Sequence, residues 1–254
     1  MTDTLDAAAP TQERRGMWTS AYATFVGTWQ IGTYFWIAVV LISVGLTFVL
    51  DRWSEVDSSV ADGILGSAPI FLGVMGIVVP LAMLPLHLAG GATRRSFVRG
   101  IVVAGVGLGL TFGLAGALGM LVESVVLDAL GWSATAESSA LYDSSGDFLG
   151  IWLSWGLSST AFFLGGTAIA VGYYRWGGVR GTAFLVPVVA LVVGGETVLG
   201  GGVYSVAIDA AVGDDVVPAV AAVLIALAAV ATLAALVHRA LRDIPLNPSA
   251  TATC

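Results

Sequence analysis

The side chains able to do directed chemistry are few, and they fall in three places. Arg94, Arg95 and Arg99 crowd the stretch Leu84–Gly100, LPLHLAGGATRRSFVRG, between two apolar segments. Guanidinium groups this close together can make bidentate contacts with carboxylates of a partner. A lone carboxylate, Glu196, interrupts the apolar run LVVGGETVLGGG. In one reading it is a polar contact for a substrate or proton, because an ionisable group at that depth must face protein or water. In the other, Gly194, Gly195 and Gly200 to Gly202 end the helix early and leave Glu196 at a water-filled outer vestibule. The only histidines, His87 and His238, both lie near the ends of apolar segments, His238 beside Arg239 and Arg242.

Several chemistries are excluded. All ten basic residues are arginine. Without lysine there is no Walker A motif and no Schiff-base nucleophile, so the chain cannot itself be a P-loop ATPase. The single cysteine, Cys254, rules out an intrachain disulfide and makes a cysteine metal site implausible. HExxH, GxSxG and paired-glutamate patterns are missing, and no nucleophile has an adjacent base, so no catalytic residue, metal site or nucleic-acid partner is expected.

These residues are set in a very apolar chain. Of 254 residues, 57% are hydrophobic and 11% charged, and the mean hydropathy is +0.92. Soluble domains carry about a quarter charged residues. Runs of about 20 apolar residues recur, each long enough for a ~30 Å hydrocarbon core, and none alternates with the period of a barrel strand. The expected fold is therefore all-α, a polytopic membrane protein with six transmembrane helices. The spans read as roughly Tyr34–Leu50, Ser67–Leu88, Ile101–Val122, Phe148–Tyr174, Thr182–Val203 and Val216–Val237. Residues 1–15 and 243–254 read as cytoplasmic tails, the first disordered, and 34–242 as the transmembrane domain.

Arginine placement orients the spans. The segments between them alternate: Arg14 and Arg15; then Arg52 with four acids; then Arg94, Arg95 and Arg99; then four acids; then Arg175 and Arg180; then three aspartates; then Arg239 and Arg242. Nine of the ten arginines fall on one side. By the positive-inside rule that side is cytoplasmic, and both termini lie there.

Residues 16–33 carry Trp18, Tyr22, Phe25 and Trp29 at spacings of four, three and four, which puts four aromatics on one helical face. This predicts an interfacial amphipathic helix in the headgroup layer; the other reading is the wet start of the first span. Gly105, Gly109 and Gly113 predict close backbone approach, as ordinary packing or as a subunit contact. Pro69, Pro80 and Pro85 predict a kinked second span. Gly200–Gly213 reads as a short re-entrant or surface segment, amphipathic by Val203, Val206 and Ile208.

Three features together resemble the membrane subunits of ABC-2 type ABC exporters. They are the aromatic segment Met17–Trp29, the Gly-x-Thr-Arg-Arg-x-Phe stretch at Gly91–Phe97 between the second and third spans, and the Tyr-x-Arg-x-Gly stretch within Tyr173–Gly177. The likeness is one of organisation over residues 16–242. It implies a six-helix permease in a bacterial-type plasma (inner) membrane, multi-pass, pairing with a second permease copy and a separate ABC ATPase chain. That chain would bind ATP and magnesium, while this one holds no cofactor and is not an enzyme. The resemblance makes Gly91, Thr93, Arg94, Arg95, Phe97 and Arg99 the coupling element that docks the ATPase, and makes the substrate a hydrophobic or amphipathic compound. A plain alternative for the arginines is topology anchoring on anionic headgroups. Two other functions fit the same chain: a non-transporting scaffold or regulatory subunit, and a secondary transporter using Glu196.

Overall fold

Apolar runs of this length satisfy their backbone groups internally only as helices, and the described residues form helices and no strand. The structure is a computed structural model that describes residues 3–53, 64, 66–130, 139–200 and 217–242. Its helices are α1 (Asp3–Trp53), α2 (Ser67–Ala89), α3 (Arg94–Leu130), α4 (Phe148–Leu199) and α5 (Ala219–Arg242). All five are long and apolar enough to cross a membrane. The architecture is that of a multi-pass helical membrane protein. The expected tail 243–254, the segment 201–213 and most of the acidic connections lie outside the described residues.

Two departures from expectation concern helix ends. The first is at the N-terminus. Residues 3–15, expected as a disordered tail, are helical, and no break separates them from residues 16–33 or from the first expected span. Apart from Pro10, the segment has glycine but no proline to interrupt it. Its hydroxyls turn back onto the helix, with Thr19 donating to the carbonyl of Arg15 and Thr33 to that of Trp29, each at 2.9 Å. At 1.5 Å per residue the 51-residue helix is about 77 Å long, more than twice the ~30 Å hydrocarbon core, so part of it stands outside.

The second departure is α4. Residues 148–199 form two helical arms joined at Gly177, whose φ of 71° and ψ of −168° are open to glycine alone. The arms fold back on each other. A Cβ on Gly165 would meet Val192 at 2.5 Å, and one on Gly172 would meet Phe184 at 2.6 Å. Tyr173 and Thr182 share a hydroxyl hydrogen bond of 3.0 Å, and Trp176 packs edge-on to Phe184 at 4.9 Å. The stretch YYRWG is thus the closure of a helical hairpin.

The first arm of α4 is the centre of the bundle. Gly109 and Gly113 of α3 lie against Gly156, with built Cβ positions 2.6 Å from its carbonyl oxygen and 2.5 Å from its nitrogen. Gly105 meets Phe163 in the same way at 2.8 Å. The predicted glycine stripe of α3 is therefore packing within the chain. Gly73 and Gly76 of α2 close onto Gly166 and Phe163, and Gly195 of the second arm meets Ala229 of α5 at 3.6 Å. Small residues let these backbones approach closely, which is what holds helices together where lipid is as apolar as the core. Phe35, Phe71 and Phe112 stack between α1, α2 and α3, with Trp29 4.7 Å from Phe112.

α1 packs by a stripe of small residues that runs beside its aromatic one, and two of the four aromatics join the contact. Ser20, Thr24, Thr28 and Gly32, four apart, are buried and turned toward α3. A Cβ on Gly100 would come within 2.6 Å of the Met17 carbonyl and 2.7 Å of Ser20 Cβ. The aromatic stripe flanks this seam. Trp18 and Tyr22 are exposed, at 56% and 71%, while Phe25 rests on Gly107 and Trp29 turns inward to donate its Nε1–H to Thr111 Oγ1 at 3.0 Å. Beyond it, Ile37, Val40 and Leu41 face outward.

Candidate functional site

The arginine cluster sits where α2 turns into α3. α2 continues through Pro80 and Pro85 to Ala89, with Pro69 in its first turn, where a missing N–H matters least. The chain then reverses in four residues. Gly90 N–H donates to Leu86 O and Gly91 N–H to Leu88 O, both at 3.0 Å, and Ala92 N–H reaches His87 O at 3.3 Å. Gly91 has φ of +77°, a left-handed conformation that disfavours any side chain. Thr93 caps α3: its Oγ1 accepts from Ser96 N–H at 3.1 Å, and its carbonyl accepts from Phe97 N–H at 3.1 Å and from Ser96 Oγ–H at 2.7 Å. His87 Nε2 lies 3.1 Å from Ser96 Oγ, and its ring packs on Phe97 at 5.2 Å. One hydroxyl–imidazole contact and one ring contact thus lock the end of α2 to the start of α3.

The residues of the expected docking set take different places in the fold. No free-standing coupling helix is present among the described residues, because Arg94 to Arg99 are the first turns of α3 itself. Phe97 is 1% exposed and belongs to the chain's own core, so it cannot fill a pocket on a partner. Gly91 and Thr93 shape the turn. Arg95 and Arg99 are exposed and share Glu13 of α1, with Arg99 Nη1 donating to its Oε1 at 3.0 Å and Arg95 Nε forming an ion pair with the same oxygen at 3.5 Å. Exposed pairs of this kind contribute at most about 1 kcal/mol.

A hollow lies on each side of the start of α3. One, of about 690 Å³, opens between α1 and the turn and includes Glu13, Arg15, His87, Thr93 and Arg95 among its walls. The other, of about 620 Å³, is lined by Arg94, Arg95, Val98, His238 and Arg242. His87 and His238 line different hollows, and no group of three or more metal-ligating side chains occurs among the described residues.

At the far end of the second α4 arm the helix runs through Gly194 and Gly195 and stops at Leu199. Gly200 is left-handed there and donates to the carbonyls of Glu196 and Thr197 at 3.1 Å. Gly194 and Gly195 are thus inside the helix, and it is Gly200 that ends it. Glu196 is inside the helix, 2% exposed, and its Oε2 has no hydrogen-bond partner among the described residues. The Gly165–Val192 contact sets the register of the hairpin and puts Glu196 within about one turn of Ser158 and Ser159, whose buried hydroxyls also lack partners among the described residues. Thr160 beside them returns its hydroxyl to Gly156 O at 2.8 Å.

Sequence reasoning passed over three contributors. Glu13, Ser96 and Arg175 act through contacts that no local pattern announces. Arg175 Nη1 donates to the carbonyls of Arg239 and Ala240 at 3.0 and 2.9 Å, with its guanidinium 5.2 Å from the Trp176 ring centroid. Its position in the YYRWG stretch was the one available signal.

No protein-family model, curated protein or solved structure matches this chain.

Proposed function

We propose that the chain is the transmembrane subunit of an ATP-driven ABC-2 type exporter that works with a separate ATPase chain and moves a hydrophobic or amphipathic substrate. The observation that carries this reading is the locked turn between α2 and α3. It holds Arg94, Arg95 and Arg99 at one end of the bundle, and a force on it is delivered to α2 through His87–Ser96 and to α1 through Gly100. Carboxylates of a partner are the natural acceptors for such a group of guanidiniums, and the flanking hollows give a partner relief to grip.

In this reading each arm of α4 is one crossing, so the chain crosses six times, with both termini and the arginine-rich ends in the cytoplasm of a bacterial-type cell. ATP and magnesium are bound by the partner. A second permease copy, identical or homologous, shares the apolar outer face of α1 with the bilayer.

The test is co-purification with a soluble ABC ATPase encoded beside this chain, followed by Arg94→Glu with Arg95→Glu. Loss of association and of ATP-coupled transport is expected. Association and coupling that survive the double charge reversal rule out this docking assignment.

One observation supports a second reading. A buried carboxyl at membrane depth can serve a gradient-driven carrier as a proton relay, and Glu196, whose Oε2 has no hydrogen-bond partner among the described residues, is one. Transport that persists without ATP and disappears in Glu196→Gln would select that reading.

A further inference from the structure

In the hollow between α3 and α5, His238 and Arg242 of α5, which the docking reading does not use, join Arg94 and Arg95 of α3. Arg94 and Arg95 come from the first turn of α3, and His238 and Arg242 from the last turns of α5. Three guanidiniums and an imidazole thus meet around about 620 Å³ of space, and among the described residues no carboxylate lines it. Among the described residues the acid paired with this group is Glu13, which reaches Arg95 from α1 on the side of the other hollow. Arg94 and Arg242 form no ion pair among the described residues.

The helix ends reinforce this. α3 begins here, and the N-terminus of a 37-residue helix adds positive potential and unbonded backbone N–H groups. The end of α5 would add the opposite sign. Arg175 covers it, donating to the carbonyls of Arg239 and Ala240, so Arg242 and His238 are not needed as caps. Like charges gathered in one concavity repel unless an anion joins them, and arginine forks match phosphate oxygens. Val98 supplies an apolar wall on the membrane side of the cluster.

We infer that this hollow is a phosphate-binding site and that its occupant is the headgroup of an anionic phospholipid in the leaflet at this end of the bundle. Basic pockets between membrane helices at this level have the chemistry for such headgroups. Which leaflet this is rests on the orientation proposed above. The phosphate site itself rests only on the side chains that line the hollow.

The experiment uses the full chain in nanodiscs of phosphatidylcholine doped with phosphatidylglycerol. Lipid retained after mild delipidation is counted by native mass spectrometry, and inorganic phosphate and pyrophosphate are titrated in parallel. The variant is His238→Gln with Arg242→Gln, which leaves the α2–α3 turn intact. Arg180→Gln, an exposed arginine outside the hollow, is the control.

Selective retention of phosphatidylglycerol, weakened about ten-fold in the double variant and unchanged in the control, supports the site. Phosphate or pyrophosphate binding with the same variant dependence, but no lipid preference, keeps the phosphate site and overturns the lipid as its source. Equal retention of both lipids with no phosphate binding overturns the site. So does a double variant that behaves as the parent. If the double variant loses ATPase association while lipid and phosphate binding stay intact, the hollow belongs to a protein contact and the inference fails. Should the double variant not fold, Arg242→Gln alone, at an exposed helix end, is read the same way. Failure of ATPase docking itself is scored separately with Arg94→Glu and Arg95→Glu.

Discussion

Arg175 donates to the carbonyl oxygen of Ala240 at 2.9 Å, across 65 residues of sequence. The same nitrogen reaches the carbonyl of Arg239. The closing turn of the α4 hairpin is thereby tied to the end of α5, and two carbonyls that α5 cannot satisfy internally are satisfied by a cation.

Removing that tie should loosen the end of α5 first. Arg175→Ala is expected to cost about 1–2 kcal/mol, since bonds from a charged donor are worth more than neutral ones and this one is only partly buried. Thermal unfolding in detergent measures the loss. Hydrogen exchange should rise at residues 236–242 before it rises in α3. Uniform exchange across the bundle would contradict the local role.

The glycines of α3 should divide into two kinds. Gly109→Leu forces a side chain into Gly156 and Thr160 and is expected to abolish the folded monomer or to cost more than the ~1–3 kcal/mol of ordinary overpacking. Gly119→Ala meets nothing within 4 Å and should be neutral or stabilising by about 0.5–1 kcal/mol, because alanine loses less freedom in a helix. Size-exclusion profiles and melting temperatures of the two variants give the comparison. Similar behaviour of both would contradict the α3–α4 contact.

Gly91 has open space around it, so its requirement is conformational alone. Gly91→Ala should cost about 1–2 kcal/mol, the penalty for a side chain in the left-handed region. Gly91→Asn should cost less, since asparagine tolerates that region better. Under the exporter reading, Gly91→Ala also lowers ATP-coupled transport more than it lowers ATPase binding, because the turn transmits rather than grips. Binding and transport assays on one preparation separate these effects.

Glu196→Gln keeps the shape and removes the charge of a carboxyl whose Oε2 has no partner. Melting temperature should hold or rise, because an unsatisfied buried polar atom already costs about 1–3 kcal/mol. ATP-driven transport should continue. A large fall in stability would mean that the carboxylate has a partner from outside the described residues.

Glu13→Gln breaks the pairs with Arg95 and Arg99. These pairs are exposed, so stability should change by less than about 1 kcal/mol. The released arginines should bind an acidic partner more tightly. Surface plasmon resonance against the ATPase is the measurement, and weaker binding would assign Glu13 to the contact itself.

The sequence by itself determined the helical class, the membrane setting and the location of the arginine cluster, since these depend on hydropathy and on side-chain type. It also showed that Gly105, Gly109 and Gly113 would allow close approach, because a missing side chain can be read without knowing its neighbour. What it could not determine was which face meets which. The aromatic spacing of Trp18, Tyr22, Phe25 and Trp29 is the stronger local signal, yet the small stripe Ser20–Thr24–Thr28–Gly32 carries the contact with α3. Between membrane helices shape decides packing, and hydropathy barely distinguishes the faces. The same limit hid the fate of Phe97. The resemblance placed it in the docking element, and the reversal at Gly90–Thr93 turns it beneath His87 and into the core. Only the tertiary structure set Arg94 opposite Arg242 and Glu13 beside Arg99, because contacts across 86 residues or more follow from how the helices pack and leave no mark on the local pattern.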